Sequence, residues 1–320
     1  MSPSPSDRPA DILVLGGTGL VGREVLAALH RRGARARVLV RDPAGLATTD
    51  GLDIQIGDLH DPASVRDAMD GVRVVFAISP HEADEIELAR TVVSSCERAG
   101  ARLVFAGVHV TGRTRAQAWL MRRIYGRMMP RYRGKLAIGH MVETSRNDPV
   151  VLMPTNFMQT DEVLLDVIRA GEFVQTAHRK GLNRVDVRDL GEAAARVLLD
   201  PGFPSGCYPV VGPRSLTGPE CAAEWSRALG IPVRYAGDDD SAVESALRAH
   251  LSGHRRDDWI ASFRLLRGVA VATKPSEVAA TERLLGRRPT DFAEFVRRVV
   301  AEHGLAPSAG RDRLASSSDR

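Results

Sequence analysis

One stretch constrains this chain more than any other: LVLGGTGLVGREVLAAL, residues 13–29. The apolar run ahead of the glycines reads as a buried strand. Gly16, Gly17, Gly19 and Gly22 read as a tight turn, and Val21, Val25, Ala28 and Leu29 share one face of the helix that follows. Such a turn needs backbone without a Cβ, and the helix must approach the strand closely. The helix N-terminus then offers N–H groups and the positive end of its dipole to a pyrophosphate. Two glycine frames fit, Gly17-x-Gly19-x-x-Gly22 and Gly16-x-x-Gly19-x-x-Gly22. An ordinary strand-to-helix turn could use the same residues, but the strand before and the helix after favour a dinucleotide site.

The pattern that opens here continues. ILVL (12–15), RVLV (37–40), DIQI (53–56), VRVVFAI (72–78), RLVFAGV (102–108) and VVLM (150–153) are strand candidates. Helical periodicity separates most of them, as at 83–99, where Ile86, Ala89, Val93 and Cys96 share a face. Near-continuous apolar strands divided by helices predict a parallel sheet covered on both faces, a doubly wound α/β fold of Rossmann type. Beyond residue 156 the pattern becomes a helix near 160–170, a strand entering a helix at 185–199, a strand at 208–212, and helices near 218–229, 241–252, 257–267, 276–286 and 290–303. The expected division is a dinucleotide-binding domain over 10–200, with an insertion at about 157–182, and a smaller, mostly helical substrate-covering region over 201–305. Residues 1–9 and 306–320, polar and rich in Ser, Pro and Arg, read as disordered tails.

Composition excludes several classes. With 43% hydrophobic and 26% charged residues, the 320-residue chain can bury a core and is neither disordered nor collagenous. Cys96, Cys207 and Cys221 are too few and too scattered for a disulfide framework or a zinc site, so no metal is expected. No apolar stretch precedes residue 12 and no run approaches a membrane span, which makes a cytoplasmic protein without a membrane partner the expectation. The net charge of +4 is mild and no nucleic-acid motif is present, so nucleic acid is not expected as a partner. Nothing in the pattern specifies an oligomer.

At GGTGLVG the residues resemble the NmrA-like branch of the atypical short-chain dehydrogenase/reductases, together with the isoflavone-reductase-like enzymes. VRDP, IGDLHDPASVRDAMDGVRVVF, MPTNFMQT, VDVRDLGEAAARVL and TERLLGRRPTDFAEFVRR agree in order, so the likeness covers about residues 11–303. The resemblance implies NAD(P) binding, with the substrate held under the C-terminal region. By it, Gly16, Thr18, Gly19, Leu20, Val21 and Gly22 would hold the pyrophosphate, Asp58 and Leu59 the adenine, and Ser79 a cofactor ribose. Lys135 would hold the nicotinamide ribose, and Thr155, Asn156 and Phe157 would pass the nicotinamide. Read without the resemblance, Asp58 could equally cap a helix and Ser79 could be a turn residue before Pro80.

Cofactor choice turns on Arg41 and Asp42, which follow the second strand. A carboxylate there would bind the 2′-hydroxyl of NAD, and an arginine the 2′-phosphate of NADP. Arg41 comes first and Asp42 precedes the turn-forming Pro43, so NADPH is expected over NADH.

The catalytic positions depart from the wider superfamily, which pairs a Tyr with a Lys four residues on and adds a Ser. Lys135 is present, but Arg131 stands four before it, Tyr132 stands three before it, and no Ser occurs between 96 and 144. Thr111, Thr114 and Tyr125 are the other hydroxyls there, and His109 is a further polar candidate that could equally be a bonded loop residue. Residues 98–142 carry nine Arg, one Lys and no acid. That segment could be a solvated helix face, or a rim attracting an anionic or polyphenolic substrate. The leading expectation is an NADPH-dependent reductase of a quinone, carbonyl or conjugated double bond, of the kind met in secondary metabolism. Lys135 is its main catalytic candidate, with Tyr132 and His109 behind it. The rival is a non-catalytic NADP(H)-binding regulator of NmrA type.

Overall fold

The computed structural model describes residues 10–46, 50–80, 82, 84–109, 115–128, 132–268 and 273–305; both expected tails lie outside them. In chain order the elements are β1 (Ile12–Leu15), α1 (Leu20–Arg31), β2 (Ala36–Val40), β3 (Leu52–Ile56), α2 (Pro62–Ala68), β4 (Val74–Ile78), α3 (Glu85–Ala99) and β5 (Arg102–Ala106). Next come α4 (Arg115–Met128), α5 (Arg133–Glu143), β6 (Val150–Pro154), β7 (Asn156–Phe157), α6 (Thr160–Val163), α7 (Leu165–Arg169), β8 (Glu172–Phe173), β9 (Leu182–Val185) and α8 (Val187–Leu199). The last are β10 (Gly206–Val210), β11 (Ser215–Leu216), α9 (Gly218–Leu229), β12 (Arg234–Tyr235), α10 (Asp240–His250), α11 (Gly253–Gly268), α12 (Pro275–Leu285) and α13 (Phe292–Glu302).

Two compact units share these elements. The first spans Met1–Phe157, Val185–Pro213 and Thr273–Pro289. Its seven strands pair in parallel in the order β10-β6-β5-β4-β1-β2-β3. Alternation does the layering. Ile12 and Val14 of β1, with Val74 and Phe76 of β4, face a core that includes Val25 and Leu29 of α1 and Leu190 and Val197 of α8. Leu13, Leu15, Val75 and Ala77 face the opposite core, with Val65 of α2, Val93 of α3 and Ile138 of α5. Both faces are buried, so the strands read as apolar runs. Strand order reverses between β1 and β4, and ligands bind at the carboxyl ends of the strands beside such a reversal.

The structure corrects three expectations. The sheet gains Gly206–Val210 as its seventh strand, and residues 273–289 also belong to the first unit, so the break expected at residue 200 is not where the units divide. The helix expected near 160–170 is two short helices meeting at Leu164. On α3, Val93 and Cys96 face inward as expected, but Ile86 is 38% exposed and Leu88 and Val92 complete the inner face.

The second unit spans Met158–Arg184, Arg214–Ala272 and Thr290–Arg320. It packs Phe173, Trp225, Phe292 and Phe295 in one cluster, with Trp225 edge-on to Phe295 at 6.5 Å between ring centres. Inside it the Arg184 guanidinium donates to Asp161 at 3.0 Å, the Trp225 indole N–H donates to the same carboxylate at 2.9 Å, and Arg184 lies over the Phe292 ring at 4.8 Å. Asp161 is fully buried, so its removal strands a buried cation. Asp161→Ala is expected to destabilise the protein by about 3–5 kcal/mol, the cost of breaking a buried ion pair. Urea unfolding followed by tryptophan fluorescence measures this; a loss below ~1 kcal/mol would mean that the pair is not buried as described.

Candidate active site at the carboxyl edge of the sheet

The glycine loop is built by exclusion. Gly16 has φ +77°, in the left-handed region, and a Cβ on it would press on Ile78 Cγ2 at 3.3 Å. A Cβ on Gly22 would lie 2.1 Å from the carbonyl oxygen of Gly16, so α1 starts almost in contact with the turn it leaves. A Cβ on Gly17 would lie 2.4 Å from Val38 Cγ2 of β2. Both glycine frames therefore describe one object: Gly16 and Gly22 close the turn, and Gly17 seats it on the neighbouring strand. Gly19 caps α1 with extended backbone, no side chain occupies the cap, and the first turn holds no acid. Thr18, Gly19 and Leu20 are exposed, while Val21 and Gly22 are buried. This arrangement fits a pyrophosphate.

Because β1 to β6 are parallel, the residues that follow them share one edge of the sheet. Arg41 follows β2 and is exposed. The Asp42 carboxylate accepts from the Ala44 N–H at 2.9 Å, capping its own turn. After β3, Asp58 accepts from the backbone N–H of His60 at 3.0 Å and contacts His60 Nδ1 at 2.9 Å. The backbone bond first, and then the ring, holds Asp58 below the usual carboxylate range; the same carboxylate raises His60. Asp58 is thus a turn residue, and the cap of α2 is Asp61. Leu59 packs half-buried against the second core face.

After β4, Ser79 Oγ donates to Glu85 Oε2 at 2.9 Å, and Lys135 Nζ donates to the same oxygen at 3.0 Å. Ser79 and Lys135, 56 positions apart in sequence, therefore meet through a third residue. After β5, His109 is buried with Nε2 3.1 Å from Glu277 Oε1, and the other oxygen of Glu277 accepts from the Lys274 N–H at 2.8 Å at the start of α12. Burial outweighs the attraction of Glu277 and lowers the His109 pKa, favouring neutral imidazole. After β6, the Thr155 N–H donates to the Val210 carbonyl at 3.2 Å, and Asn156 and Phe157 are half-buried. Tyr132 stands at the N-cap of α5, one residue ahead of the helix in which Lys135 is third. Thr111, Thr114 and the Tyr125 side chain lie outside the described residues.

Three participants escaped the sequence reading: Glu85, Glu277 and His60. For Glu85 there was a signal. Residues 98–142 hold no acid, so the partner of Lys135 had to come from elsewhere, and Glu85 opens the helix after β4. Within the second unit, a cavity of about 480 Å³ has His178, Arg179, Tyr235, Asp238 and Arg267 among its walls. Burial pushes the Tyr235 hydroxyl up to about 12, so it stays protonated there. Among the described residues no helix is long and apolar enough to cross a membrane.

Comparison with known proteins agrees with this architecture. The chain is 28% identical over 301 residues to an NAD(P)H azoreductase of Xenophilus azovorans, covering 92% of this chain and all of that one. It is also 28% identical over 300 residues to a (4-alkanoyl-5-oxo-2,5-dihydrofuran-3-yl)methyl phosphate reductase of Streptomyces griseus, covering 92% and 98%. An NADPH-dependent quinone oxidoreductase from Escherichia coli, solved with NADPH, shares the fold at a TM-score of 0.75 and 20% identity, over 90% of this chain and 99% of that one. The model of the NmrA-like family matches residues 9–296, nearly the whole length. The chain belongs to the NmrA-like family.

Proposed function

We propose that this protein is an NADPH-dependent reductase of a small organic molecule: a quinone, an azo compound, a carbonyl or a conjugated double bond. One observation carries the reading. The parallel sheet delivers an uncapped glycine-loop helix and a half-buried lysine ammonium to the same carboxyl edge. The two curated relatives named above, an NAD(P)H azoreductase and a reductase of a furanone methyl phosphate, each alike over more than nine-tenths of this chain, support it.

The N–H groups at the start of α1 would bind the pyrophosphate, and Ser79 and Lys135 would hold ribose hydroxyls. Bound NADPH would supply the hydride. The Lys135 ammonium would stabilise negative charge developing on the reduced oxygen or nitrogen, acting as an oriented positive charge in a partly water-excluded site. Tyr132 and His109 are the reserve proton donors. The His109 ring is already engaged by Glu277, which weighs against it.

NADPH is the proposed cofactor because Asp42 is committed to its turn, leaving Arg41 to meet a 2′-phosphate. Arg41→Ser is then expected to weaken NADPH binding about 10- to 100-fold, the worth of a charge-assisted hydrogen bond, with NADH binding nearly unchanged. Calorimetry with both cofactors checks this, and equal losses for the two would refute it.

The proposed substrate is anionic or polyphenolic, steered by the arginines of α4. Arg123 and Arg127 are exposed, and Arg123 lies over the Trp119 ring at 5.0 Å. Replacing Arg123 and Arg127 by Gln should slow substrate association more than it speeds dissociation, with the difference fading as salt shortens the Debye length from about 10 Å at 0.1 M to 3 Å at 1 M. Unchanged association in stopped flow would make α4 a solvated face.

The decisive experiment mixes purified protein and NADPH with a panel of quinones, azo dyes and enones, and follows loss of the reduced nicotinamide. Turnover supports the reductase, and NADPH binding with no turnover across the panel supports a regulator. In a reductase, Lys135→Ala should lower the rate at saturating NADPH by about 10²–10³-fold, the worth of one group that stabilises developing negative charge. A raised KM for NADPH with an unchanged saturated rate would reduce Lys135 to a binding role.

A further inference from the structure

Lys135 is one of only three lysines, with Lys180 and Lys274, and its own stretch of chain contains no acid. Its counter-charge comes from α3. Glu85 is the first residue of that 15-residue helix, where the positive end of the dipole favours a carboxylate. The side chains of Lys135 and Glu85 are 15% and 13% exposed, so the pair is screened far less than a surface ion pair. Lys135 Nζ and Ser79 Oγ converge on one oxygen, Oε2, at 3.0 and 2.9 Å. The other oxygen lies against Gly134. A Cβ on Gly134 would stand 2.4 Å from Glu85 Oε1, so the carboxylate occupies the space that a side chain beside Lys135 would take.

We infer that Glu85 is a positioning residue, whose carboxylate holds the Lys135 ammonium and the Ser79 hydroxyl in the orientation in which they meet the cofactor ribose. The inference rests on the cofactor reading given above. Lysine carries its charge on a flexible four-carbon stem and has no geometry of its own. Anchored by one N–H to Glu85, the ammonium keeps two further donors free for ribose oxygens. Ser79 spends its proton on Glu85, at a shorter distance than the 3.2 Å to the Pro80 carbonyl, and so presents lone pairs to a ribose hydroxyl. One carboxylate thereby sets a donor and an acceptor side by side, the pattern a ribose diol requires.

Two variants test this by different routes. Glu85→Gln removes the charge. Gly134→Ala keeps Glu85, Lys135 and Ser79 intact and displaces only the end of the Glu85 side chain. Binding of NADPH to the full chain is measured by calorimetry, in the native background and in a Lys135→Met background. In parallel, protein labelled with ζ-¹⁵N lysine gives ammonium resonances from only three residues. Each variant should weaken NADPH binding about fivefold, a coupling usual within one ion-pair network, and should shift the Lys135 resonance. Each should cost less once Lys135 is Met, the remainder being the part that runs through Ser79. Unchanged affinity in both variants overturns the inference. So do equal losses with and without Lys135, the mark of a merely structural role, which thermal melting would register alike in both backgrounds. Failure of the native protein to bind NADPH overturns the cofactor reading and this inference with it. Binding without turnover sinks only the reductase, because the readout here is binding.

Discussion

At the start of α1, a Cβ on Gly22 would sit 2.1 Å from the Gly16 carbonyl oxygen, closer than any side-chain carbon can approach. That backbone contact is the constraint on which the site depends. It aims the helix N-terminus along the carboxyl edge of β1, and it seats the turn between β2, through Val38, and β4, through Ile78. A similar economy recurs on the far side of the helix. A Cβ on Gly191 of α8 would meet the Glu24 backbone at 2.6 Å, so α1 is pinned at its start by the sheet and along its length by α8. An element held on two sides can present uncompensated N–H groups without fraying to satisfy them.

The sequence carried the sheet because doubly buried strands leave an unmistakable trace: apolar runs of four or five residues separated by helical periodicity. The glycine loop was legible for the same reason, since backbone contact admits no alternative residue. What did not show was whatever depends on contacts between distant positions. Gly206–Val210 reads as a strand anywhere, yet nothing local says that it pairs with β6 rather than joining the later segments. Ile86 fits a helical stripe in sequence, but the inner face is set by the neighbours of α3 and falls on Leu88 and Val92. Asp58 and Asp42 carry the same side chain in similar post-strand turns. Their partners, His60 and the Ala44 amide, appear only once the turns are built. Glu85 is the sharpest case, because its role is defined by a lysine 50 positions away.

The two units solve the problem of polar burial differently. In the first, the two cores are almost wholly Val, Leu, Ile and Ala, and the fully buried Asp189 of α8 pairs with a half-exposed arginine, Arg287. In the second, a complete Arg184–Asp161 pair is drawn inside, with the Trp225 indole and the Phe292 ring around it. A buried pair satisfied on several sides resists repacking, because every rearrangement exposes an unpaired charge to an apolar environment.

The first unit is assembled from three separated stretches of chain, the last ending at Pro289. As the polypeptide leaves the ribosome, β1 to β6 emerge first, and β6 then waits as an open edge until Gly206–Val210 has been made. The face that α8 and α12 cover is likewise bare until those helices arrive. Between the making of β6 and the making of β10 the nascent chain therefore exposes an unpaired strand edge beside an apolar sheet face, the condition in which edge-to-edge association competes with folding.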